Sequence, residues 1–155
     1  MRSMSAMAAL LMAFAFGSAG AAPVPKEDPA KAELTKLNGT WEVVSYVRAG
    51  VEVDPDELEK RVTFKNGEYT WGNGDEPDGK IVTIDPSKKP KEVDYTPNDG
   101  PNKDKKQRAI YQLDGDTFAD CFDGENPDAE RPKEFKSTKE NGLTLVKYKR
   151  VKRKD

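Results

Sequence analysis

The chain has 155 residues, with 26 Lys and Arg against 28 Asp and Glu, one cysteine and no histidine. Lack of imidazole excludes Ser-His-Asp and Cys-His catalysis, HExxH zinc sites and any histidine general base, and a single cysteine excludes an intramolecular disulfide. A net charge of −2 gives no footing for a nucleic-acid partner.

The N-terminus reads as an export signal. Arg2 precedes an uncharged apolar run from Ala6 to Phe16, then Ala19-Gly20-Ala21 in A-x-A form, then Pro23-Val24-Pro25-Lys26-Glu27. The run is shorter than the roughly 20 residues that span a bilayer; an uncleaved anchor helix is the alternative. No cysteine stands near the cut to carry a lipid. The expectation is cleavage near Ala21 and a secreted or periplasmic product with no integral membrane segment. The expected division is signal peptide 1–21, linker 22–30, one barrel domain 31–152 and a basic tail 153–155.

Asp28-Pro29 offers an N-cap and a proline at the first helical position, and Asn38-Gly39 is a stop, which predicts a helix over 29–37. Thr40 to Arg48 is a strand by its β-branched and aromatic content. Strict alternation puts Trp41, Val43, Ser45 and Val47 on one face, with Glu42, Val44, Tyr46 and Arg48 on the other. Asp54-Pro55 with Glu57 reads as a second, short helix ending near Lys60. Arg61 to Lys65 and Glu68 to Trp71 form a hairpin around Asn66-Gly67. Further strands are expected over 80–84, 91–96, 106–113, 117–122 and 143–151, with a turn-rich acidic loop over 123–132. Eight short strands joined by tight turns predict an all-β fold. The expected form is a single antiparallel eight-stranded up-and-down barrel, with one or two short helices near its start.

The order of elements resembles a known family. Gly39-Thr40-Trp41 opens the first strand just after a short helix, like the G-x-W element of lipocalins. Ile84-Asp85-Pro86-Ser87-Lys88-Lys89-Pro90-Lys91, Ile110-Tyr111-Gln112-Leu113-Asp114-Gly115-Asp116-Thr117, Cys121, Arg131-Pro132 and Phe135 follow. Together they look like the lipocalin-like domains abundant in planctomycete bacteria, over about residues 36–151. That family brings a fold and export with it and no activity. The resemblance implies structural roles for Gly39 and Trp41, with Arg150 as the basic residue packed across the indole ring. It also leads one to expect an apolar residue where Asp120 stands. Asp120 is therefore read as solvated or arginine-paired, with a buried functional acid as the alternative.

Candidate cavity-lining residues are Val43, Val62, Phe64, Tyr69, Trp71, Val93, Tyr95, Tyr111 and Phe118. The small apolar supply favours an interior that these side chains simply fill; Tyr69 and Trp71 can instead sit at the mouth. The basic run Lys147, Lys149, Arg150, Lys152, Arg153 and Lys154 is either a solvated strand end or a contact for an anionic envelope partner. Asp114, Asp116, Asp120, Asp123, Glu125 and Asp128 match no calcium-loop spacing. Neither a cofactor, a metal nor a catalytic residue is expected. The function expected is a non-enzymatic exported binding module for a small apolar ligand. The alternative is an extracytoplasmic interaction module with a filled barrel.

Overall fold

The computed structural model describes residues 26–152; the expected signal peptide, the first part of the linker and the 153–155 tail lie outside the described residues. Helix α1 (Pro29–Leu37) forms as its caps dictate. The Asp28 carboxylate accepts from the Ala30 N–H at 3.0 Å, and Pro29 occupies the first helical position. Ala30, Leu34 and Leu37 fall on one face at helical spacing and pack on the core.

The strands are β1 (Gly39–Arg48), β2 (Val51–Val53), β3 (Arg61–Lys65), β4 (Glu68–Trp71), β5 (Gly79–Asp85), β6 (Lys91–Pro97), β7 (Gln107–Asp114), β8 (Thr117–Phe122) and β9 (Thr144–Arg150). Sequential neighbours from β3 to β9 pair antiparallel; β1 pairs with β3 on one side and with β9 on the other. Eight strands thus close into a barrel, which removes the exposed edges of an open sheet. β2 is extra. It folds back on Tyr46–Arg48 through the positive-φ pair Ala49-Gly50, a two-residue hairpin turn. The second expected helix is a single 3-10 turn over Pro55–Glu57, capped by Asp54.

One expected face is wrong. Val43 opposes Tyr148, but Ser45 opposes Lys147, so Val44 is an extra, unpaired residue. This β-bulge reverses the alternation beyond it. Val44 points out at 55% exposure, and Tyr46, opposite Val146, turns inward in place of Ser45 and Val47. A second bulge at Val82 keeps Ile81 and Ile84 both inside, opposite Tyr95 and Val93.

The β8–β9 connection, 123–143, is ordered by its contacts rather than by secondary structure. Arg131 donates to the Val93 and Ala109 carbonyls at 3.1 and 2.7 Å and pairs with Asp94 at 2.7 Å. The Lys136 carbonyl sits over the Cys121 thiol. Ile110 and Cys121, an outward-facing pair, are buried on this side of the barrel.

The helix end of the barrel is shut by one cluster. The Trp41 indole N–H donates to the Leu37 carbonyl at 2.8 Å. Arg150 lies over the Trp41 ring at 4.1 Å and donates to the Lys36 and Asn38 carbonyls at 2.6 and 2.7 Å. Three consecutive carbonyls at the end of α1, which have no partner inside the helix, are satisfied this way. Asp116 in the β7–β8 turn pairs with the Arg150 guanidinium at 3.3 Å. Gly39 has φ +124, and a Cβ there would stand 2.9 Å from Arg150 Nη1, so the position needs glycine on two counts.

Removing this clasp has a defined expected cost. Arg150→Ala loses a cation–π contact and two charged hydrogen bonds, and is expected to lower unfolding stability by about 2–4 kcal/mol in denaturant titrations. Arg150→Lys should recover only part, because an ammonium lacks the planar fork. A loss below about 0.5 kcal/mol, the range of ordinary surface changes, would show that the clasp does not hold the barrel shut.

Candidate functional site

The barrel interior is filled with aromatic side chains, and they divide it into two halves. Near α1, Phe118 is the hub. Its ring centre lies 5.8 Å from those of Trp41 and Phe64, 6.4 Å from Tyr111 and 5.0 Å from Tyr148, against which it stacks. Each such ring, fully buried, contributes about 2–3 kcal/mol of transfer free energy. That half is packed solid.

The other half is not. A cavity of about 190 Å3 is lined by Val62, Phe64, Tyr69, Trp71, Tyr95, Gln107, Asp120, Phe122 and Tyr148. Trp71, Gln107 and Phe122 stand at strand ends remote from α1 and are partly exposed, so they form its mouth. Gly79 helps shape the wall: the Tyr69 phenol lies where a Cβ of residue 79 would be. Asp78 accepts from the Trp71 N–H at 2.6 Å, fixing the end of β4.

Of the nine expected lining residues, Val62, Phe64, Tyr69, Trp71 and Tyr95 meet around this cavity. Val43, Val93, Tyr111 and Phe118 do not line it; they belong to the packed core. Gln107, Asp120, Phe122 and Tyr148 line the cavity without having been among the expected residues. Tyr148 was within reach of sequence reasoning, since it alternates with Lys147 and Lys149. Gln107 gave no signal, because a polar residue at a strand start reads as solvated.

Asp120 overturns its reading as a solvated or arginine-paired group. It is 4% exposed, and its partners are phenols. Tyr95 donates to Oδ2 at 3.1 Å and Tyr148 to Oδ1 at 3.4 Å. Burial pushes its carboxyl up to about 7, against the pull of those two hydrogen bonds. The same burial pushes the Tyr69 phenol up to about 12 and those of Tyr95 and Tyr148 well above their ordinary range, with the Asp120 charge adding to each.

The other singled-out charges are occupied with structure. At the closed end Glu33, on the buried face of α1, accepts from Lys91 at 2.6 Å and Tyr111 at 3.2 Å. Burial opposes its charge, yet Lys91, Tyr111 and Lys36 together hold its carboxyl below the ordinary range. Asp123 accepts from the backbone of Glu125 and Asn126, and Glu125 pairs with Arg48. Of the basic run, Lys147 and Lys149 face outward, Arg150 belongs to the clasp and Lys152 pairs with Asp116 at 3.5 Å. Arg153 and Lys154 lie outside the described residues. The Cys121 thiol is buried, which pushes it up to about 11 and leaves it unreactive.

No protein-family model, curated protein or solved structure matches the chain. The closed eight-stranded antiparallel barrel is compatible with a lipocalin-like fold.

The raised carboxyl of Asp120 has a consequence for stability. Its folded value, about 7, exceeds the ordinary 3.8, so the folded state holds the proton more tightly. The stability this adds is full below about pH 4 and is lost as pH rises through 7. Relative to D120N, the wild-type protein is expected to lose stability between pH 4 and pH 8, on the order of a few kcal/mol. Thermal or urea unfolding of both proteins across that range checks it. Parallel curves would mean that Asp120 ionises as freely as in an unfolded chain.

Proposed function

We propose that this protein is exported, loses residues 1–21, and acts as a non-enzymatic module that takes one small molecule into the open half of its barrel. The observation that carries the reading is the cavity of about 190 Å3 behind Trp71, Gln107 and Phe122. It is smaller than the 300–1,000 Å3 typical of drug-sized pockets, so the ligand is small. It also contains a buried carboxyl, so a wholly apolar ligand, the first expectation, fits poorly.

A binding role is favoured over catalysis by the contents of the site. One acid lines the cavity and its partners are phenols; Asp78, next to the wall residue Gly79, accepts from the Trp71 backbone. The A-x-A site at residues 19–21 and the resemblance to exported planctomycete lipocalin-like domains support the compartment. A second reading, an interaction module for an anionic envelope partner, draws on Lys147 and Lys149, which project from the outer face of β9.

Native mass spectrometry of the protein purified from its own envelope fraction tests both parts. The expected result is a polypeptide mass beginning at Ala22, with a non-covalent adduct that vanishes on denaturation. A bare polypeptide that gains no adduct from a soluble extract of the same envelope would overturn the carrier reading. It would favour the surface of β9 instead.

A further inference from the structure

Asp120 is a buried carboxyl with no cation beside it. Every ion pair among the described residues involves other groups. Two phenol donors compensate part of its charge, but they bring no positive charge into the cavity. The walls around it are aromatic. The Tyr69 and Tyr95 rings meet edge to face at 5.8 Å, and the Trp71 and Tyr148 rings lie 6.3 Å apart. Aromatic faces carry negative potential and attract a cation that has left water. The Arg48 charge that acts on Tyr46 is taken by Glu125.

We infer that the open half of the barrel is a receptor for a small organic cation, an aryl- or alkylammonium, with its nitrogen at Asp120 and its carbon frame between Tyr69, Trp71 and Tyr95. The inference rests on the proposed ligand-binding role and deepens it. An ammonium supplies both the charge and the N–H donors that a desolvated carboxylate lacks. A carboxylate ligand would meet a like charge at the same point. A neutral apolar ligand would offer the buried carboxylate neither charge nor a hydrogen-bond donor.

The site is pH-sensitive by construction. Asp120 is surrounded by Tyr46 of β1, Tyr69 of β4, Tyr95 of β6, Gln107 and Tyr111 of β7 and Tyr148 of β9. These phenols are all pushed upward, mainly by burial, and stay neutral from pH 5 to pH 8. Of the charged groups nearby, Arg48 is paired with Glu125 and Asp78 accepts from the Trp71 N–H. Burial raises the Asp120 carboxyl to about 7, so its charge is expected to change inside the cavity in that interval, and the D120N protein reports what the other groups contribute.

Calorimetric titration of the full chain with benzylamine, benzyl alcohol and benzoate at pH 8 and pH 5 tests the inference. Benzylamine should bind at least about tenfold more tightly than the other two at pH 8. Its affinity should fall by about tenfold or more at pH 5, where the carboxyl is protonated. D120N should bind benzylamine about tenfold more weakly, or worse, and lose the preference for the amine over benzyl alcohol. If D120N does not fold, the pH dependence of the wild-type protein decides alone. Equal affinity for the amine and the alcohol, or tighter amine binding at pH 5, would overturn the cation and leave the cavity as a binding site. Failure of all three probes to bind would overturn both readings.

Discussion

The contact on which the rest of the structure depends is the seat of Arg150 against Trp41. A barrel closes only if its last strand finds its first, and here the seam between β9 and β1 ends where one guanidinium covers one indole. The same two side chains terminate α1 by taking up its final carbonyls. One cluster therefore sets three things: the register of the seam, the angle at which the helix enters, and the shutting of one mouth. Gly39 belongs to the arrangement because no other residue leaves room for the arginine at that backbone angle.

Closing one end so firmly allows the other to differ. Phe118 gathers four aromatic neighbours near the helix and leaves no space. Past it stands Asp120, and the cavity begins there. A small barrel with few apolar residues has little stability to spare for a buried acid. That it keeps one, held by phenols from two other strands, is the strongest physical sign that the position serves something other than the fold.

Much of the architecture was legible because turn chemistry brackets each strand. Asn66-Gly67, Asp85-Pro86, Asp114-Gly115 and Asn141-Gly142 stop or turn the chain where the structure does. The helix over 29–37 followed from its caps alone. Features that depend on partners distant in sequence were hidden. Nothing local marks Val44 as an extra residue, so the reversal that brings Tyr46 inward was invisible. β2 is three residues long and owes its pairing to a tight turn read as a mere ending. Alternation did place Asp120 with Phe118 and Phe122, and only the cost of burial argued against taking that literally. The phenols that meet the cost are 25 and 28 residues away along the chain. Lining residues divided for the same reason: periodicity separates inside from outside, but not floor from mouth.

The long seam also governs how the protein comes into being. Asn38 and Arg150 are 112 residues apart, and non-local pairings of this span form late and slowly. A growing chain has no partner for the free edge of β1, and no cover for Trp41, until Thr144–Arg150 arrives. Until then it is an open ribbon, vulnerable to pairing with its neighbours. The fold therefore cannot lock before the final strand has been made.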